Sequence, residues 1–252
     1  MTSAITLTSF QLVNIFLFLG LFFLAFKLWE QKWSYRISKP HKWDEAVKHG
    51  DVSGSLRKLE RTYRDKVRFY TFWLQIERIR VNNISGAFAE LGVYHGETAR
   101  IIHAMNPERD LHLFDTFDGF RESDLAMEKS KDEKYNTSNF SDTSLAEVRK
   151  FVGGNDHVKF HPGHFPDSAA HIGAVNYAFV HLDADLYQPT LAALNYFYRR
   201  LSPGGVIIVH DYNHTWEGLR RAVDEFAKTI PENFVEIADW NGSTMVVKNS
   251  PV

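Results

Sequence analysis

Residues 86–102 read GAFAELGVYHGETARII. A short apolar run ends at Gly92, three residues lead to Gly96, and a stretch with helical apolar spacing follows. A strand that turns at a glycine straight into a helix is the opening of a βα unit. The same pattern recurs along the chain in LHLFD (111–115), VKF (158–160), YAFVHLD (177–183) and GVIIVHD (205–211). Helical patterns lie between these runs, near residues 96–105, 143–152, 187–200 and 215–228. Such alternation predicts an α/β fold with a mostly parallel open sheet. FVEIAD (234–239) and STMVVKN (243–249) flank Asn241-Gly242, which predicts a C-terminal antiparallel hairpin. Residues 64–81 carry apolar side chains at helical spacing and predict a helix leading into the sheet.

Ahead of this domain the chain changes character. Phe10 to Leu28 is almost wholly apolar, interrupted only by Gln11, Asn14 and Lys27. That length approaches the roughly 20 residues a membrane-spanning helix needs, and the run has no polar stripe of the kind a soluble helix shows. No basic residue precedes it and no small-residue cleavage pattern follows, so it reads as a membrane anchor rather than a signal peptide. Lys27, Lys32, Arg36, Lys39 and Lys42 face only Glu30 and Asp44, which places the following domain on the cytosolic side of a single-pass protein. Trp29, Trp33, Tyr35 and Trp43 suit an interfacial belt or ordinary packing equally. We therefore divide the chain into an anchor with its juxtamembrane segment (1–40) and a soluble domain (41–252).

Composition excludes several classes. The 252 residues are 44% hydrophobic, enough to bury a large core, and 29 Lys and Arg against 31 Asp and Glu leave no basic field for nucleic acid. With no cysteine there is no disulfide framework, thiolate nucleophile or Cys-bound metal. A homo-oligomer is compatible with the sequence.

The runs end in acids: Glu90, Asp115, the pair Asp183 and Asp185, and His210-Asp211. Ligands of open α/β sheets bind at the carboxyl ends of strands, so this recurrence predicts a crevice lined by carboxylates, although each acid alone suits a cap or turn. Gly92 allows the tight turn and Gly96 a helix start close to a ligand, with Thr98 in the first helical turn. The G-x-x-x-G spacing differs from the G-x-G-x-x-G of dinucleotide binders, which weakens an NAD-dependent oxidoreductase reading. Asp115, closing the second run, is placed to take both hydroxyls of a ribose. Asp183 and Asp211 close neighbouring strands and could share one divalent ion, hard oxygen ligands suiting magnesium.

These motifs, with TSLAEV, VKFHPGHFPD and RLSPGGVIIVHDY and AVDEF after them, resemble the macrocin O-methyltransferase (TylF) family from about Ile84 to Phe226. The resemblance implies a Rossmann-like class I methyltransferase sheet, S-adenosylmethionine as methyl donor, a divalent metal such as Mg²⁺, and a small-molecule hydroxyl acceptor, notably a sugar. It would make Glu90, Gly92, Tyr94 and Gly96 the wall around the methionine half of the donor, and put Asp115 on the ribose with Thr116 and Phe117 beside it. Ser144, Gly163 and Phe165 would lie nearer the adenine. Asp183, His210 and Asp211 would be the metal ligands and Asp183 the catalytic base, with His181, His210 and His214 as rivals. His161 and His164 flank a turn and could touch substrate. This chain has HDY where the family usually has DDY, so His210 replaces a carboxylate, which shifts metal preference toward manganese and later ions or leaves a binding protein without turnover. It also has Glu97 where a further glycine is common. Arg121 to Phe140, long and highly charged, is expected to form a lid.

Overall fold

The computed structural model describes residues 8–128 and 135–249, with side chains of 32–38 left undescribed. Two compact units divide between Asp51 and Val52, so the boundary placed after residue 40 falls inside the first.

In the first unit, α1 (Ser9–Ser38) is capped by a reciprocal pair in which Thr8 Oγ1 accepts from Gln11 N while Thr8 N donates to Gln11 Oε1. Its segment Ser9–Gln31 has a mean hydropathy of 2.1 and no buried part. At 1.5 Å per residue its 23 residues extend about 34 Å, long enough to cross a hydrocarbon core. Trp29 is exposed, whereas Trp43, in α2 (His41–His49), is buried and so departs from the interfacial belt.

The second unit begins with α3 (Gly54–Thr62) and α4 (Lys66–Val81), then alternates: β1 (Ala87–Leu91), α5 (Glu97–Met105), β2 (Leu111–Asp115), the short α6 (Glu122–Leu125), α7 (Leu145–Val152), β3 (Val158–Pro162), β4 (Tyr177–Leu182), α8 (Tyr187–Arg200), β5 (Leu201–Val209), α9 (Glu217–Ala227), β6 (Val235–Glu236) and β7 (Thr244–Val247). The sheet order is β3-β2-β1-β4-β5-β7-β6. The pairs from β3 to β5 are parallel, and β7 runs antiparallel to both β5 and β6. The Rossmann-like α/β reading and the closing antiparallel pair are thus found, though β6 shrinks to two residues and β5 starts earlier than the apolar run.

Strand β1 shows how the sheet is covered. All five residues are buried, as a central parallel strand requires. Ala87, Ala89 and Leu91 join the core beneath α8 and α9, with Leu194, Phe197, Leu219 and Val223. Phe88 points the other way, to Phe72, Ile76 and Ile79 of α4, Ala99 and Ile102 of α5, and Val148 and Val152 of α7. Two apolar layers therefore clamp the strands, and each buried Phe or Ile adds about 1.5–3 kcal/mol. The carboxyl ends of the strands are left at one edge, free to carry polar groups.

Candidate active site

Strand order reverses between β1 and β4, and crevices form at such points. Gly92, immediately after β1, has φ +85°, and a Cβ on it would lie 1.9 Å from the Asp183 carbonyl oxygen. Glycine alone lets the two strand ends approach this closely. Beside them opens a cavity of about 420 Å³, within the range of small-ligand sites.

On one side the cavity is lined by Gly92, Tyr94, Asp115, Thr116, Gly163 and Phe165. Asp115 organises this wall: its Oδ2 accepts from Val93 N (2.7 Å) and Tyr94 N (2.9 Å), and its Oδ1 from Phe117 N (2.7 Å). A fourth, longer contact comes from Thr116 Oγ1 to Oδ1 at 3.5 Å, so the carboxylate ties the turns after β1 and β2 together. Tyr94, at φ 48°, donates its hydroxyl to Asp142. Thr116 Oγ1 donates to Gly119 O (2.8 Å), fixing the turn after β2.

Other residues expected here lie elsewhere. Glu90 is fully buried and pairs with His181 Nδ1 at 2.8 Å, because the two sit opposite each other in the β1–β4 register. Desolvation raises the Glu90 pKa, opposed by the His181 contact. Gly96 starts α5, but a Cβ there would meet Val152 Cγ2 at 2.6 Å, so its small size serves the packing of α5 on α7. Ser144 caps α7, its Oγ accepting from Glu147 N and donating to Glu147 Oε2. Phe117 is buried in the core under α4 and α5. Each of the four is held by structure rather than exposed to the cavity.

Across the cavity the metal-ligand set comes together. Asp183, His210 and Asp211 each offer a ligand atom within 4.8 Å of the others. His210 Nδ1 lies 2.9 Å from both Asp183 Oδ1 and Asp211 Oδ1. Burial opposes charge on His210, yet Asp183 outweighs it and pushes the imidazole pKa up to about 10. For Asp183, burial is likewise outweighed by His210, so the carboxyl is held well below the usual range. Asp185, also lining the cavity, is shifted upward by burial and by Asp183 and Asp211.

One detail fits a cation here: His210 Nε2 lies 3.2 Å from the Trp240 carbonyl, the support a ligating imidazole takes through its other nitrogen.

Arg68 of α4 also touches His210 Nε2 and donates to Trp240 O, with Asp65 and Asp239 within 3.6 Å of its Nε. The sequence reading missed this residue. Its signal was an arginine in the first turn of a helix, where the macrodipole disfavours positive charge. His181 is buried away from the cavity, whereas His214 and His164 line it. His164 pairs with Asp124 at 2.8 Å. His161 stacks instead on His112.

An aromatic wall of Phe120, Phe140 and Trp216 completes the enclosure, with Trp216 stacked on Tyr135 at 4.2 Å. Of the segment expected as a lid, residues 129–134 lie outside the described residues. Its flank is tied down by Glu128, whose Oε1 accepts from Tyr187 N at the start of α8. The same carboxylate fills the space over Gly218, where a Cβ would fall 1.9 Å from Oε2.

A parallel sheet of this order with a cavity at its switch point, edged by glycines and carboxylates, is a Rossmann-like methyltransferase fold. The chain belongs to the macrocin-O-methyltransferase (TylF) family, whose sequence profile matches residues 33–245. It is 31% identical over 177 residues to mycinamicin III 3''-O-methyltransferase of Micromonospora griseorubida, covering 64% of this chain and 69% of that protein. It is 28% identical over 148 residues to an 8-demethyl-8-(2,3-dimethoxy-alpha-L-rhamnosyl)-tetracenomycin-C 4'-O-methyltransferase of Streptomyces olivaceus, covering 54% of this chain and 57% of that relative's length. Among solved structures, the O-methyltransferase NovP shares the fold with a TM-score of 0.63 and 24% identity, over 73% of this chain and 81% of that one. A calicheamicin methyltransferase gives 0.56 and 20%, over 71% and 79%.

Proposed function

We propose that this protein is an S-adenosylmethionine-dependent O-methyltransferase acting on a sugar hydroxyl of a small metabolite, with a divalent cation at its centre. The observation that carries this reading is the convergence of Asp183, His210 and Asp211 beside the Gly92 crevice, in a chain whose named relatives are O-methyltransferases.

A sulfonium methyl is already electrophilic, so the enzyme must deprotonate and align a hydroxyl. Gly92 and Gly163 leave space for the donor, and Asp115 faces the donor's ribose hydroxyls. Asp183, His210 and Asp211 would hold the cation, which when bound lowers the pKa of the acceptor hydroxyl and fixes its oxygen. Asp183 would receive the hydroxyl proton while the acceptor oxygen attacks the methyl carbon and the donor's carbon–sulfur bond breaks, releasing S-adenosylhomocysteine. Phe120, Phe140 and Trp216 wall the cavity against water and give a sugar ring flat apolar faces.

The apolar helix α1 anchors the chain in a membrane, with residues 41–252 forming the methyltransferase domain on the cytosolic side. Its exposed apolar surface supports this, as does the cluster of basic residues after Lys27. Resistance of the full chain to extraction from membranes by alkaline carbonate tests the anchor, and protease access from the cytosolic side tests its orientation.

Methyl transfer is tested with labelled donor, Mg²⁺ or Mn²⁺, and a panel of glycosides. Asp183→Ala is expected to abolish turnover while donor binding by calorimetry persists. Full turnover in that variant, or no donor binding by the parent chain, overturns the reading.

A further inference from the structure

Between the end of α1 at Ser38 and the start of the second unit at Val52 the chain has only 13 residues. Fully extended they reach about 50 Å, and the nine helical residues of α2 shorten that span. A domain tethered this closely to a bilayer stays within reach of its surface. Which side turns toward the headgroups is then decided by the side chains each side presents.

Beyond Asp51, three aromatic side chains are exposed among the described residues: Phe140, which walls the catalytic cavity, and Phe151 and Trp240. The last two share one surface, since both line a second cavity, of about 550 Å³, with Leu59 and Ile101. Trp240 is 61% exposed and Phe151 43%. Each ring carries a guanidinium over its face, Arg64 over Trp240 at 5.2 Å and Arg100 over Phe151 at 5.1 Å. Exposed Arg57, Lys58 and Arg61 of α3 extend the positive charge, Arg57 and Arg61 standing one turn apart with Arg64 three residues on. None of these five cations makes an ion pair among the described residues. On α3, the turn after it and the cavity lining, Glu97 is the one exposed carboxylate. Asp65 accepts from Arg68 N and Trp240 N, and Glu60 is buried on the Tyr70 hydroxyl. Five unpaired cations against one carboxylate, interleaved with exposed rings, is the make-up of a surface that sits at lipid headgroups: rings enter the interface and long cationic side chains reach the phosphates.

We propose that this face of the second unit lies on the anionic headgroups of the cytosolic leaflet, with Trp240 and Phe151 entering the interface and the five cations on lipid phosphates. This rests on the reading of α1 as a membrane anchor: the anchor holds the domain near the bilayer, and the basic aromatic face sets which side turns inward. Trp240 is followed by Asn241, which lines the catalytic cavity, so the docked face borders the site of methyl transfer.

The chain has no cysteine, so one introduced thiol reports one position. Thr62→Cys lies on the second cavity, and Asn195→Cys is exposed on α8, which covers the other side of the sheet from α4, α5 and α7. Each is labelled with an environment-sensitive dye in the full chain, reconstituted into vesicles of phosphatidylcholine with or without phosphatidylserine that carry a nitroxide quencher at headgroup depth. Quenching at position 62 and not at 195 is expected with the serine lipid, fading in neutral vesicles and in molar salt. Arg57→Gln/Arg61→Gln/Arg64→Gln should lower the ratio of docked to free domain about fivefold for each charge removed, whereas lysines at the same three positions should preserve docking. No quenching at position 62 with the serine lipid, equal quenching at both positions, or docking indifferent to the glutamine variant overturns the proposal. So does a label at position 62 shielded in neutral detergent when light scattering shows a dimer, which gives the face to a second copy of the chain. Flotation separates the two readings. A full chain that does not float with neutral vesicles refutes the anchor, and flotation with serine-lipid vesicles that the glutamine variant loses then upholds the face alone.

Discussion

Gly92→Ala addresses the junction on which the site depends. The added Cβ would sit 1.9 Å from the Asp183 carbonyl oxygen, against 3.4 Å for ordinary contact. Either the β1 turn or the end of β4 must give way by about 1.5 Å. The atom in the way is backbone, so no rotamer change relieves it. The φ of +85° adds roughly 1–2 kcal/mol for an L side chain, which corresponds to a fall in Tm of about 2–8 °C for a domain of this size. Activity is the more sensitive readout, because the displaced residue is Asp183 itself. Misplacing a catalytic group by about 1 Å costs on the order of 10² in rate. The expected result is a folded protein with kcat reduced about a hundredfold, measured by labelled-methyl transfer alongside a thermal melt. If the alanine variant keeps kcat within threefold of the parent, the close approach of β1 and β4 does not set the geometry of the triad.

Three further perturbations test separate parts of the structure. His210→Asp restores an all-oxygen donor set, so the ratio of Mg²⁺-supported to Mn²⁺-supported activity should rise; an unchanged ratio after removal of metal with EDTA and reloading would place His210 outside the metal shell. Glu90→Ala leaves His181 Nδ1 buried without its partner, which costs about 1–3 kcal/mol and should lower Tm with little change in donor affinity. A stable variant with weakened donor binding would return Glu90 to the cavity wall. His112 is buried against His161 with Lys159 near, and its pKa is lowered to about 4. A histidine kept neutral by the fold is protonated more readily in the unfolded chain, so stability is full above pH 6.5 and is lost as pH falls toward 4, by about 3 kcal/mol. Denaturant melts across that range should show the loss in the parent and not in His112→Asn.

The alternation of strand and helix was readable because each strand is a short apolar run bounded by glycine or an acid, and helices such as Tyr187–Arg200 carry one apolar face. The triad was readable for a related reason: Asp183 and Asp211 follow adjacent parallel strands, so sheet order alone brings them together. Glu90 lies inside β1 rather than after it, on the sheet face it shares with its cross-strand partner His181, so a strand-end reading does not foresee that pairing. Caps and close helix packing, the local roles of Ser144 and Gly96, use the same small residues as ligand loops. Arg68 could not be placed by periodicity, since the 142 residues separating it from His210 close only in three dimensions.

Arg68 also accounts for how the site accommodates a histidine in a motif that usually carries a carboxylate. With aspartate at 210, Asp183, Asp185 and Asp211 would form a cluster of four acids at the crevice, and mutual repulsion would make such a cluster depend on a cation for its assembly. In this chain His210 removes one negative charge, and Arg68 stands behind it with Asp65 and Asp239 on its other side. The imidazole is thereby held between the carboxylates by α4, an element that precedes the sheet. The convergence of the Asp183, His210 and Asp211 side-chain atoms is thus supplied by packing and by the hydrogen bonds and ion pairs around His210 and Arg68.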